Sequence, residues 1–169
     1  RQFSYTSQNK NTIDIVLSLN GIPVVAMELK NQLTGQSVNN AKRQFMYDRD
    51  EKEFCFRFNN RFLVYFCVDL YEVAMTTQLQ GEKTYFLPFN QGSNGAGNIG
   101  DGGNPKCEDG YATSYLWEYV LNPEMLLSIF QRYISKQTTE SISLVNGKKV
   151  TKTKTILIFP RYHQLDVVE

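Results

Sequence analysis

The alternation of apolar and polar positions predicts a series of short strands and helices along the chain. Thr12 to Leu19 and Pro23 to Leu29 are two apolar runs that meet at Asn20-Gly21, the dipeptide that most strongly marks a hairpin turn. Arg1 to Tyr5 reads as a preceding strand, and Gln8 to Asn11 as a polar turn. Ser37 is placed to cap a helix in which Val38, Ala41 and Phe45 recur at helical spacing, running toward Asp48. Phe54 to Phe58 is aromatic. Arg61 to Val68 then reads as a fully buried strand, with Tyr71 to Thr77 as its neighbour and Asp69-Leu70 at the bend. Thr113 to Val120 and Pro123 to Ser135 read as two helices, the second capped by Asn122 with Pro123 at its first position. Trp117, Leu126, Leu127, Phe130 and Tyr133 are assigned to the core. Gln137 to Thr155 alternates as an edge hairpin, turning at Asn146-Gly147 and defended by Lys148, Lys149, Lys152 and Lys154. A hairpin followed by a helix and further strands gives an α/β fold, a mixed sheet flanked by helices.

The pattern is broken by charge in one place. Asp14, Glu28 and Lys30 lie within the apolar hairpin, and buried charges need a partner or a metal. Two carboxylates can hold a divalent cation, and a nearby lysine can offset negative charge developing on a phosphate. Residues two apart on a strand share a face, so Glu28 and Lys30 point the same way. Asp14 joins them only in one register. A plain two-residue turn pairs Leu19 with Ile22 and Ile13 with Glu28, which puts Asp14 on the wrong face. Pairing Leu19 with Pro23 sets Asp14 across from Glu28, and a three-residue loop with a bulge would supply that shift. The shifted register also groups Ile13, Ile15, Leu17 and Leu19 with Val25, Met27 and Leu29. Asp followed by Glu-x-Lys resembles the site of metal-dependent nucleases of the PD-(D/E)xK type. A solvated edge hairpin carries Glu-x-Lys as well, so these three residues leave both readings open.

Composition narrows the alternatives. The chain has 169 residues, 41% hydrophobic and 21% charged, which suits one soluble globular domain. No apolar run approaches a membrane span and no secretory signal is present. A net charge of +1 excludes a broadly basic coat, so DNA contact has to come from a local patch. The three cysteines, Cys55, Cys67 and Cys107, form no Cys-x-x-Cys pair, which fits a reducing cytoplasm. A single histidine, His163, argues against histidine-rich metal chemistry. The helix after the hairpin carries Lys42, Arg43, Gln44 and Arg49, either a solvated face or one that meets phosphates. Gln91 to Gly110 contains seven glycines and three asparagines and reads as a flexible connector. Its G-x-G-x-x-G at Gly95 to Gly100 is no dinucleotide site, because Asp101 to Pro105 prevents a helix from following.

Several blocks in order resemble the restriction (R) subunit of type I restriction-modification enzymes. They are IDIVLSLNGIPVVAMELKN, the Ala41 to Arg49 helix, MTTQLQGEKTYFLPFNQG, the GAGN loop, YATSYLWEYVL and FPRYHQLDVV. The resemblance implies a PD-(D/E)xK nuclease domain over 1–160, with 161–169 beginning a linker to an ATP-driven DNA translocase. It implies Asp14 and Glu28 as Mg²⁺ ligands together with the Leu29 carbonyl, Lys30 as the motif lysine, and Gln44 as the glutamine that follows. Tyr47 lies three residues after Gln44 where relatives have four. Lys42, Arg43, Tyr47 and Arg49 would meet DNA. Gln164 would lie near the adenine site of the motor. ATP is expected only in the full-length subunit, since no G-x-x-x-x-G-K-[ST] occurs. Double-stranded DNA and the modification and specificity subunits are the implied partners. The chain opens on Arg1, and relatives carry an acidic residue on an earlier helix, so the site is expected to be N-terminally incomplete. A stand-alone repair nuclease of the same fold and a catalytically silent coupling module are the rival readings.

Overall fold

Asn20 and Gly21 both take positive φ, 50° and 81°, the backbone of a two-residue hairpin turn between β3 (Ile15–Leu19) and β4 (Ile22–Leu29). Leu19 therefore pairs with Ile22, and Ser18 with Pro23. The three-residue loop is not used. The shift comes one step later, between Leu17 and Ser18, because Leu17 pairs with Val25 and Val24 is left as a bulge. Pro23 has no N–H to give the ladder, so irregularity beside it costs little. Beyond the bulge Val16 pairs with Ala26 and Ile15 with Met27, the register that carries Asp14 to Glu28.

The computed structural model describes residues 2–7, 10–108, 110–145 and 148–167. The expected turns at Gln8 to Asn11 and Asn146-Gly147 lie partly or wholly outside these. β1 (Phe3–Ser4) pairs with β2 (Thr12–Ile13), and the chain bends at Asp14 before β3. That bend overturns one expected grouping. Ile13 is fully buried on the opposite side of the sheet from Ile15 and Leu17, alongside Ala26 and Val16.

After β4 the chain crosses over through α1 (Val38–Tyr47) into β5 (Val64–Val68), which lies parallel to β4. β6 (Val73–Thr76) and β7 (Leu87–Pro88) follow antiparallel, giving the order β3-β4-β5-β6-β7. β5 is buried throughout and divides its residues between two cores. Tyr65 and Cys67 face α1, where Val38, Ala41 and Phe45 pack, with the rings of Phe45 and Tyr65 5.4 Å apart. Val64, Phe66 and Val68 face the other layer.

That second layer contains Leu116–Val120, a wide i→i+5 turn closed by Leu121 N–H donating to the Leu116 carbonyl. α2 (Pro123–Ser128) follows and runs into a second wide turn, Ile129–Tyr133. The Asn122 side chain accepts from Glu124 N, as its capping position predicts. Leu126 is buried, but Trp117 and Leu127 are 46% and 41% exposed and do not belong to the core. A long antiparallel ribbon, β8 (Ser135–Val145) with β9 (Lys148–Ile158), forms its own two-stranded sheet. α3 (Tyr162–Asp166) closes the second layer, with Tyr162 and Leu165 buried in it. In the segment expected to start a linker, Tyr162 and Leu165 thus pack into this core, while Arg161, His163 and Gln164 are exposed. Among the described residues no helix is long and apolar enough to cross a membrane.

The glycine-rich stretch is irregular, and no helix follows Gly100. It folds back on itself. Gly92 N–H donates to the Gly103 carbonyl at 2.8 Å and Ser93 N–H to the Asp101 carbonyl at 2.9 Å. Asn104 holds its base, accepting from Gln91 N and donating to the Tyr71 carbonyl.

Candidate functional site

The bulge and the bend at Asp14 bring three sequence-predicted residues to the carboxyl end of β4, on the face that packs against α1. Asp14 Oδ2 accepts from Leu29 N at 2.9 Å, which fixes its carboxylate beside that strand. Glu28 is fully buried, two positions after Ala26 on the same face. Lys30 continues the ladder through its N–H to the Val68 carbonyl at 2.8 Å, and its Nζ donates to Gln44 Oε1 at 2.5 Å. Gln44 is carried there by the second half of α1, whose register is set at its start. Ser37 N–H donates to Asn40 Oδ1, and Val38 N–H to Asp69 Oδ2.

Arg49 is where the structure departs most from expectation. Its place after α1 suggested a phosphate contact, yet it is 4% exposed and its Nη2 lies 2.7 Å from Glu28 Oε1. The same nitrogen donates to the Thr12 carbonyl, Nη1 donates to the Asp48 carbonyl, and the guanidinium sits 5.5 Å from the centre of the Tyr5 ring. It is the buried countercharge that Glu28 requires. The signal was available in the sequence as the question of what pairs with Glu28, but nothing there places Arg49 beneath β4. Lys42 and Arg43 remain on the accessible side of α1. Tyr47 is 57% exposed and donates to Glu82 Oε1, apart from the Lys30–Gln44 pair. A cleft of about 280 Å³ between Lys30 and Tyr47 is lined also by Arg43, Gln44 and Asp48.

Burial pushes the Glu28 carboxyl up to about 7, Arg49 opposes this, and the neighbouring Asp14 carboxylate adds to it. Glu28 Oε2 is buried with no hydrogen-bond donor on it among the described residues. An orphaned carboxylate oxygen next to a second carboxylate is a hard-oxygen donor set of the kind Mg²⁺ takes, so the residues fit such an ion. With Oε1 held by Arg49, Oε2 is the atom left for it. No group of three or more acidic, histidine or cysteine side chains placed to hold a metal ion occurs among the described residues, so the protein's carboxylate contribution here is a pair.

Residues 1–84 match the family model described as Type I restriction enzyme R protein N terminus. This stretch is an N-terminal domain of the type I restriction enzyme R protein family. The matched R-protein stretch contains Asp14, Glu28, Lys30, Gln44 and Arg49 and runs from β1 through β6. The mixed α/β sheet is compatible with a nuclease-like fold. No curated protein matches the chain, and no solved structure does.

Proposed function

We propose that the chain is the endonuclease module of a type I restriction R subunit, hydrolysing phosphodiesters of double-stranded DNA with Mg²⁺ in a PD-(D/E)xK site. The observation that carries this reading is the convergence of Asp14, Glu28 and the Lys30–Gln44 pair at one strand end, produced by a bulge that a simple hairpin would lack. Asp14, Glu28 and the Leu29 carbonyl would hold the ion, which supplies polarisation of the scissile phosphate and an acidified water. Lys30 offsets the charge that builds on the phosphate oxygens, and Gln44 aims its ammonium. Arg43 and Tyr47 border the same cleft and, with Lys42 of the same helix, would hold the strand by its phosphates and sugars. In the full-length subunit, ATP-driven translocation and the modification and specificity subunits would bring DNA to this site.

The test is nicking of supercoiled plasmid by the assembled enzyme with ATP and Mg²⁺. Glu28→Ala and Lys30→Ala are each expected to reduce it at least about a hundredfold, in the range for removing a charge-stabilising group. One observation favours a second reading, a coupling module that positions DNA without cutting it: Glu28 is committed to a buried ion pair. Undiminished cleavage by both variants would establish that reading.

A further inference from the structure

Nη2 of Arg49 lies 2.7 Å from two oxygens, Glu28 Oε1 and the Thr12 carbonyl. Thr12 stands two residues before Asp14, so one nitrogen ties together the two segments that carry the paired carboxylates. A guanidinium is a rigid planar fork and cannot follow one partner without losing the other. This one is held from its remaining sides as well. Nη1 donates to the Asp48 carbonyl at 3.1 Å, and the Tyr5 ring centre lies 5.5 Å from the guanidinium carbon. Nε is buried with no acceptor among the described residues, a cost accepted by a group whose place is set through its other nitrogens. Each carboxylate of the pair therefore has one oxygen already engaged by the protein, Glu28 Oε1 by Arg49 and Asp14 Oδ2 by Leu29 N–H.

We infer that Arg49 is a positioning residue that makes this site select Mg²⁺ over Ca²⁺, by confining Glu28 to a single oxygen for the ion. The two ions ask different things of a carboxylate. Ca²⁺ is larger, gathers more oxygens and readily takes both oxygens of one carboxyl group. Mg²⁺ is smaller, keeps several of its waters and is served by one or two carboxylates. A glutamate whose second oxygen is pinned in a buried ion pair suits the smaller ion and withholds the two-oxygen grip that the larger one favours. Turning Oε1 out of that pair would leave a buried guanidinium without its countercharge, which is strongly unfavourable. The tie to the Thr12 carbonyl acts in the same direction, because it keeps the Asp14 segment from shifting away from Glu28 to admit a larger ion. The inference rests on the Mg²⁺ nuclease reading for the presence of an ion and adds which residue sets the ion's identity.

The test follows the thermal unfolding midpoint of the 169-residue chain as Mg²⁺ or Ca²⁺ is added at one pH and ionic strength, since an ion bound to the native state raises that midpoint. No DNA and no cleavage are involved. Wild type is expected to be stabilised at a lower concentration of Mg²⁺ than of Ca²⁺. Arg49→Met is expected to move the ratio of the two half-saturating concentrations at least about tenfold toward Ca²⁺, the scale on which residues behind metal ligands act. Both ions carry the same charge and compete with the same proton on Glu28. Loss of a neighbouring cation therefore cancels in the ratio, and a change in how Glu28 is held does not. Wild type that binds Ca²⁺ as tightly as Mg²⁺ would overturn the inference whether or not the methionine variant folds. An unmoved ratio in Arg49→Met, with stabilisation by both ions abolished in Glu28→Ala, would overturn it and leave the nuclease reading standing. Stabilisation by neither ion, or stabilisation that survives Glu28→Ala, would remove the ion from this site and overturn both together.

Discussion

Replacing Arg49 with methionine removes the Glu28 countercharge while keeping an unbranched apolar stem, and its effect on stability should depend on pH. Burial raises the folded-state pKa of Glu28 from 4.5 to about 7. A carboxylate with a raised folded pKa favours the native state most when protonated. That contribution is fully present below pH 4.5 and is lost as pH rises to about 7. At about 1.4 kcal/mol for each pH unit, the wild-type loss is about 3 kcal/mol, and above pH 7 the curve levels. Without the guanidinium, the main influence holding this pKa down is gone, so Glu28 stays protonated to higher pH and the decline continues. At pH 6, where both proteins hold the proton, Arg49→Met costs its hydrogen bonds to Glu28 and the Thr12 and Asp48 carbonyls and its place over the Tyr5 ring, about 1–3 kcal/mol. By pH 9 the gap should widen by about 2–3 kcal/mol, reaching the range for breaking a buried ion pair. Urea unfolding of both proteins in chelator at pH 6 and pH 9 measures this. An equal gap at the two pH values would refute the reasoning, since it would mean that Arg49 does not set the charge of Glu28.

Two further expectations follow from individual hydrogen bonds. Asp14→Asn keeps an oxygen for Leu29 N–H and removes the charge beside Glu28, so in chelator it should melt within about 1 kcal/mol of wild type, whereas Asp14→Ala should cost about 1–2 kcal/mol; stabilisation by Mg²⁺ should be lost in both. In the glycine-rich loop, hydrogen exchange should be slowed at the amides of Gln91, Gly92, Ser93 and Asp101, which have acceptors, and fast at Gly102; uniformly fast exchange would return the loop to a mobile connector.

The resemblance to R subunits, read from blocks spread over the whole chain, meets a family match confined to residues 1–84. Local pattern sufficed wherever one side chain's neighbours in sequence are also its neighbours in space. The hairpin, α1 with its Val38, Ala41 and Phe45 stripe, the buried β5 and the Asn122 cap are of that kind. The register beyond the bulge was legible in part, because it groups Ile15 and Leu17 with Val25 and Met27, although Ile13 falls on the other side of the sheet and Leu19 pairs with Ile22. Its cause was not, since Asn20-Gly21 enforces a two-residue turn and the extra residue had to be absorbed at Val24, beside a proline that donates nothing to the ladder.

Arg49 and Trp117 mark what only the tertiary structure decided. A residue just past a basic helix reads as solvent-facing, but the bend at Asp14 and the burial of Glu28 leave a charge under β4 that one guanidinium reaches. A tryptophan in an apolar helix reads as core, but the wide turn over Leu116–Val120 buries Leu116 and Val120 and turns Trp117 outward. Helical period is a property of adjacent residues and can be read from them. Which charge finds which partner, and which ring is left uncovered, depends on where distant strands end, and that is set by the whole fold.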